Sequence, residues 1–409
     1  MSETFDLRID SIGAGGDGVG RHNGIVVFVP RTTPGDVARV SALQEDRLMR
    51  GRLLEVLQPS PDRVEPPCVH YVHDGCGGCQ VQHVSYEAQL REKAGIIRDA
   101  LTRIGKLTVA APAISPSEQQ WRYRRKLTLA LRRREGRWIA GLRRFDAPDE
   151  VFELSDCPIT DERAVVHWRA VMATEHLLPA DRELRGAVRI LPSGFSFTLE
   201  GARTWPGSAD FFALVPAMAE LWWHPAGKSR RLLHSRASND SAGASFTQVN
   251  PGMAAQLLEW VVSLATAARP VTAVDAYAGT GDFAASLAAA GTRVTAIERD
   301  RDASRVSAAR LPEGSRAVAA LVEDALPGTL PADVVILNPP RGGVDARVAE
   351  ALRTQGQRPR ALIYVSCNPA TLARDIRRME RYRVRSVRGF DMFPQTAHVE
   401  TVCELEPAA

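Results

Sequence analysis

Three structural regions are predicted along the chain: a small closed β-barrel, a mixed β-rich middle and a doubly wound α/β domain. Three observations predict them. At 409 residues the chain is longer than one hydrophobic core organises, so two or three domains are expected. Residues 1–59 hold short strand-like runs separated by glycine-rich turns, with no long amphipathic helix between them. From about Ala244 onward, helix-like and strand-like stretches alternate, as in a parallel sheet covered by helices on both faces.

In the first region "TFDLRIDSI", "GIVVFVP", "DVARVSAL" and "RGRLLEVL" read as strands of an oligonucleotide-binding (OB) type of barrel. The stretch "GAGGDG" at Gly13 to Gly18 matches G-x-G-x-x-G, but a turn and a strand follow it. A dinucleotide site needs a helix there, so these glycines are read as a tight turn. The second region, 60–241, carries the early cysteines, one helix ("YEAQLREKAGIIRDALTRIG") and then mostly strand-like, Arg-rich sequence. In the third, 242–409, "MAAQLLEWVVSLATAA" and "FAASLAAAG" read as helices, and "VTAVDAYAG", "TRVTAIERD", "ADVVILNPP" and "ALIYVSCNP" as strands.

Composition narrows the function classes. The chain is 44% hydrophobic and 24% charged, as soluble globular proteins are. No apolar run reaches membrane-span length and "MSETFDLRID" has no signal-peptide core, so a cytoplasmic, membrane-free protein is expected. In a reducing compartment its six cysteines point to metal binding or catalysis wherever they cluster. The net charge of +4 is modest, yet arginine is dense in "WRYRRKLTLALRRREGRWIAGLRRF" and "ARDIRRMERYRVRSVR". Aromatic and basic residues interleaved in this way suit a polyanion with exposed bases, and equally suit strands with solvated basic faces.

A ligand pocket is read from "VTAVDAYAGTGDF". A strand ends at Asp275, Gly279 and Gly281 let the backbone pass close to a ligand, and the next strand ends at Glu298, placed to accept from ribose hydroxyls. The third glycine of a pyrophosphate-binding turn is absent. A glycine turn with a ribose acid and no phosphate machinery suits S-adenosylmethionine better than a dinucleotide. A further strand is read to end in "VEDAL", with Asp324 reaching the adenine. "ILNPPR" ends another strand where methyl acceptors are held, with Asn338 and Arg341 at its tip.

"IYVSCNPATLARD" places Cys367 at a strand tip, before an Asn-Pro break and a helix. An α/β enzyme displays a reactive group there, although many cysteines at such positions are small core residues. The chemistry of pyrimidine carbon methylation fits a cysteine in this place. Uracil C5 becomes nucleophilic only after a thiolate adds at C6, and a base must then remove the C5 proton. "DMFPQTAHVETV" offers His398 and Glu400 as that base.

Taken together, "FTQVN", "DAYAGTGDF", "NPPRGG", "YVSCNPATLARD" and "DMFPQTAHVE" resemble the RNA uracil-C5 methyltransferase family across essentially the whole last region. The resemblance implies a class I methyltransferase domain with a Rossmann-like sheet, with Cys367 as nucleophile and Glu400 as base. It implies Gln248, Asp275, Tyr277, Gly279, Gly281, Asp282, Glu298, Asp324 and Asn338 as cofactor contacts, and Phe246 and Arg341 as substrate contacts. Asn338 stands where that family usually has aspartate, which keeps a carbonyl acceptor and loses the charge.

Cys68, Cys76 and Cys79 are spaced C-x7-C-x2-C, and Cys157 follows in "SDCPI". Four thiolates hold zinc or an iron–sulfur cluster, and spacing alone does not choose. His70, His73 and His83 are alternative ligands, and Cys403 reads as a buried strand residue. The family resemblance implies a [4Fe-4S] cluster on the four cysteines, and it likens residues 1–59 to a TRAM domain that grips RNA. The expectation is a monomeric 5-methyluridine methyltransferase acting on structured RNA, 23S rRNA before tRNA, by flipping the target base. Two alternatives stand beside it: an amino-group methyltransferase of the N-P-P kind using Asn338, and a catalytically degenerate RNA-binding iron–sulfur protein.

Overall fold

The computed structural model describes residues 2–236 and 248–408. Strands β1 (Glu3–Ile12), β2 (Gly18–His22), β3 (Ile25–Val29), β4 (Val37–Glu45) and β5 (Leu48–Gln58) close into a barrel in the order β1-β2-β3-β5-β4. Alternate residues Leu7 and Ile9, Val27 and Val29, and Ala38, Val40 and Ala42 point inward and fill it. The glycines at 13–18 form the turn joining β1 to β2, closed by the Gly13 amide donating to the Asp17 carbonyl at 2.8 Å. The short, glycine-flanked β2 has no alternation long enough to read from sequence.

The middle contains the short strand β6 (Ile114–Ser115) and then β7 (Lys126–Arg134), β8 (Arg137–Arg143), β9 (Val151–Glu153), β10 (Glu183–Leu191), β11 (Gly194–Glu200), β12 (Met218–His224) and β13 (Arg231–Ser235). Strands β7 to β13 make one seven-stranded sheet, ordered β13-β12-β11-β10-β7-β8-β9. The helix Glu162–Met172 covers it through Ala164, Val165, Trp168 and Val171, a stripe of helical spacing inside a stretch read as mostly strand-like.

The last sheet is built from β14 (Thr272–Ala276), β15 (Arg293–Glu298), β16 (Arg316–Ala319), β17 (Val334–Leu337), β18 (Ala361–Ser366), β19 (Tyr382–Phe390) and β20 (Glu400–Pro407), with β6 added. Its order is β16-β15-β14-β17-β18-β20-β19-β6, and β14 to β18 are parallel. Two features differ from the expected parallel sheet. Strand β20 runs antiparallel between β18 and β19. The middle region also contributes to this sheet, because β6 pairs with β19. The helix Tyr86–Arg103 likewise buries Ile97 and Leu101 in the same core as Tyr364, Leu372 and Ile376. An apolar stripe is a local property, whereas the surface it packs on is not.

Candidate active site

In a parallel sheet the carboxyl ends of the strands open toward one crevice, and the motifs converge there. Asp275, the last residue but one of β14, is fully buried, with Oδ2 accepting from the Ala284 amide at 3.0 Å and Oδ1 without a partner. Burial without an adjacent cation pushes its carboxyl up to about 7. Tyr277 (φ 62°), Gly279 (φ 56°) and Gly281 (φ 79°) form a left-handed turn just past the end of β14. A Cβ on Gly281 would meet Ser307 Oγ at 2.2 Å, so that position requires glycine. Glu298 secures the turn, its carboxylate accepting from the Gly279 amide at 2.9 Å and the Asp300 amide at 2.7 Å.

The other expected cofactor contacts divide. Gln248 and Asn338 are half-buried, and Asn338 follows the last residue of β17. Asp282 begins a helix and is ion-paired with Arg310 at 2.6 Å. Asp324 needs correction: "VEDAL" ends no strand but forms the helical turn Val322–Ala325, and Asp324 is exposed and paired with Arg347 at 2.7 Å. Two residues beyond β16, Ala320 and Leu321, redirect the chain, and Glu323 rather than its neighbour Asp324 joins Asp345 and Asp375 among the carboxylates that act on the Tyr277 hydroxyl. Phe246 lies outside the described residues.

Strand β18 is completely buried up to Ser366, which places Cys367 just past its tip, half-exposed. Asn368 then caps the helix Pro369–Arg378 through the Ala370 amide, and its Nδ2 donates to the Arg341 carbonyl at 3.4 Å. Because β20 runs antiparallel to β18 with Ser366 opposite Thr401, the first residue of β20, Glu400, arrives beside Cys367. Glu400 is only 4% exposed, and burial pushes its carboxyl up to about 8 against the opposing pull of Arg341. The Cys367 thiol is also raised, by burial first and then by Glu400, while the nearby Arg341 guanidinium opposes the shift. A thiol, a carboxylate and a cation therefore share one cluster. His398 reaches the surface, with its imidazole lowered by burial of part of the ring and by nearby Arg341.

Cys68, Cys76, Cys79 and Cys157 are all buried and free. Burial raises the thiols of Cys76, Cys79 and Cys157, Cys76 to about 11, and neighbouring cysteines push each of them further. The four thiols thus occupy one neighbourhood, although among the described residues no group of three or more His, Cys, Asp or Glu is placed to hold a metal ion. The histidines are otherwise engaged: both ring nitrogens of His70 are bonded, to Asp74 and Ser155, and His73 is exposed. His83 bonds Tyr71 through Nδ1 and is pushed down to about 4 by burial. Arg31 of the barrel clamps the cysteine loop, donating to the Cys76 carbonyl at 2.7 Å and stacking 3.2 Å from the Tyr71 ring centre. An open groove of about 1010 Å³ runs from there between barrel and middle sheet, lined by Arg31, Arg50, Arg124, Arg143, Arg144 and Arg185.

Comparison with known proteins adds the family. Residues 313–407 match the domain described as tRNA (Uracil-5-)-methyltransferase, and residues 2–44 match the TRAM domain. A protein of Thermosynechococcus vestitus described as an uncharacterized RNA methyltransferase is 33% identical, covering 98% of both chains. This chain belongs to the RNA methyltransferases, and its residues 313–407 to the tRNA (Uracil-5-)-methyltransferase domain family. A similarly described methyltransferase of Halalkalibacterium halodurans is 30% identical over 99% of this chain and 97% of the relative. The fold is similar to that of the Pyrococcus abyssi tRNA (uracil-54, C5)-methyltransferase solved with S-adenosyl-L-homocysteine, with a TM-score of 0.73, 21% identity, and 98% and 99% of the two chains covered.

The methyltransferase site also depends on motif residues to which the sequence reading gave no role. Asp375, fully buried, accepts from the Tyr364 hydroxyl at 2.8 Å and from the Val344 amide at 2.9 Å, and so holds the loop that carries Asn338 and Arg341. Gly343 (φ 81°) lies against it, and an added Cβ would meet Asp375 Oδ2 at 2.2 Å. Gly343→Ala is therefore expected to lower Tm by several degrees and to cut methyl transfer. A thermal melt and a tritiated-methyl assay check both, since the left-handed strain and the displaced carboxylate together cost about 2–4 kcal/mol.

Proposed function

We propose that this enzyme methylates C5 of a uridine in structured RNA through a covalent adduct between Cys367 and C6. The convergence of Cys367, Glu400 and Arg341 at the carboxyl end of β18 carries the reading. The Cys367 thiolate, stabilised by Arg341, adds to C6, and the electron pair of the C5–C6 double bond moves toward O4 as an enolate. S-adenosylmethionine would supply the electrophilic methyl, with the turn Tyr277–Gly281 and Glu298 as the residues that would hold it. Carbon C5 takes the methyl as the sulfonium S–CH3 bond breaks and S-adenosylhomocysteine leaves, Glu400 removes the C5 proton, and the double bond re-forms as the thiolate leaves. The Arg-lined groove beside the TRAM barrel supports an RNA cradle whose affinity falls with salt. Mapping 5-methyluridine in 23S rRNA and tRNA from cells with and without the gene tests the reading and separates the two RNA classes. Unchanged 5-methyluridine in every RNA would overturn it.

The pH dependence follows from the two raised groups. Only ionised Glu400 accepts the C5 proton, and its carboxyl loses its own proton near pH 8. The kcat should rise with pH through about 7–9 as Glu400 ionises and go on rising above, since the thiol of Cys367 is raised from its ordinary value of 9. Stability has the opposite sign. The unfolded chain ionises Glu400 at its ordinary value near 4.5 and the fold holds the proton until about 8, so stability falls as pH rises across that window. A flat profile from pH 6 to 9 would remove Glu400 from the rate-limiting proton transfer.

For the four buried cysteines we propose a structural [4Fe-4S] cluster. Four cysteines buried together, with the thiols of Cys76, Cys79 and Cys157 raised by burial and by neighbouring cysteines, form a soft donor set that suits iron–sulfur chemistry. Protein purified without air is expected to contain iron and acid-labile sulfide, and Cys157→Ser to lower Tm. Stoichiometric zinc in a colourless folded protein would replace this assignment.

A further inference from the structure

The turn before Glu400 is held by a distant part of the chain. Gln395 has φ 69°, a left-handed conformation that a side-chain-bearing residue keeps only when its surroundings impose it. Its amide donates to Gln89 Oε1 at 3.0 Å, and Gln89 Nε2 donates back to Gln395 Oε1 at 2.9 Å. Gln89 Nε2 also faces the carbonyls of Val81 at 3.1 Å and Val84 at 2.9 Å. The Val81 amide donates to the Gln395 carbonyl at 3.2 Å, and Val81 lies two residues beyond Cys79. Tyr123 adds a bond from its hydroxyl to the Pro394 carbonyl at 3.0 Å, and Lys93 Nζ one to the Phe393 carbonyl at 3.1 Å. Gln89 and Gln395 are 1% and 3% exposed, so water offers neither amide an alternative partner.

We infer that Gln89 is a positioning residue, which fixes the Pro394–Ala397 turn to the cysteine-bearing segment and so sets the Glu400 carboxylate over C5. The inference rests on the reading of Glu400 as base. Glu400 follows Gln395 by five residues, and a displacement of about 1 Å at a reacting group costs about a hundredfold in rate. Nucleophilic attack and methyl transfer use β18 and the Tyr277–Gly281 turn, which Gln89 does not touch, so they should persist when its amide is removed.

Gln89→Met, close in length but without the amide, tests this. The expected result is a kcat lower by about 10–100-fold with the KM for S-adenosylmethionine unchanged, and an enzyme–RNA adduct that survives denaturing electrophoresis. Gln395→Gly removes the partner side chain while relieving the left-handed strain, and should trap the same adduct in a protein of undiminished Tm. The double variant should be no worse than Gln89→Met alone, because the side-chain bond that Gln395→Gly removes is already lost in that variant. Full turnover, loss of activity without adduct, or additive effects would overturn the inference, and Gln395→Gly decides it if Gln89→Met does not fold. Glu400→Gln run alongside separates the failures. If that variant traps no adduct, the base assignment is wrong. If it traps and the glutamine variants do not, only the role of Gln89 is lost.

Discussion

Cys367→Ala should abolish methyl transfer, by more than about a thousandfold, and leave RNA binding reversible. The size of the effect follows from the chemistry of uracil, whose C5 does not attack a methylsulfonium until a nucleophile has added at C6. Alanine at the tip of β18 keeps the buried strand and the Asn368 cap, so folding should be unaffected. Single-turnover transfer of tritiated methyl, with filter binding of the same RNA, measures both arms. Residual transfer within tenfold of the native rate would make Cys367 a packing residue.

Glu400→Gln is the second large effect, and it should stop the reaction at a different stage. The glutamine fits the same buried site, and because the native carboxyl holds its proton up to about pH 8, replacing it removes little charge near neutrality. Attack and methylation proceed, while elimination lacks its base. Turnover should fall by about 10²–10⁴-fold while a methylated enzyme–RNA adduct accumulates. The adduct should run as a slow band in denaturing electrophoresis and should require both S-adenosylmethionine and Cys367. His398→Gln is the control, and a stronger band there would transfer the base assignment to His398. The exposed position of that ring beside Arg341 argues for Glu400.

The two variants also bear on Asn338. An amino-group methyltransferase working through Asn338 has no use for a thiol, so loss of transfer in Cys367→Ala and an adduct in Glu400→Gln would both exclude it. Either result in an otherwise stable protein would likewise exclude a degenerate enzyme that only binds RNA.

The sequence by itself determined where reactive side chains sit along their elements. Cys367 follows a wholly apolar strand and precedes an Asn-Pro break, and Gly279 and Gly281 follow the strand that ends near Asp275. These features are local, because strand burial, a proline break and a left-handed glycine each depend on a few neighbouring residues. Local reasoning failed where the chain changes direction over a few residues. "VEDAL" is a helical turn rather than a strand end, with Asp324 exposed and paired with Arg347, and the helix Glu162–Met172 lay hidden in an Arg-rich stretch. Only the tertiary structure decided which distant groups meet. It brings Glu400 beside Cys367 through an antiparallel strand inserted next to β18. It buries Lys93 against Asp391, and it joins Gln89 to Gln395 across 306 residues of sequence. Such pairs carry no periodicity or spacing to read: each partner is an ordinary polar residue in its own segment, and burial against the other satisfies hydrogen-bonding groups that water no longer reaches.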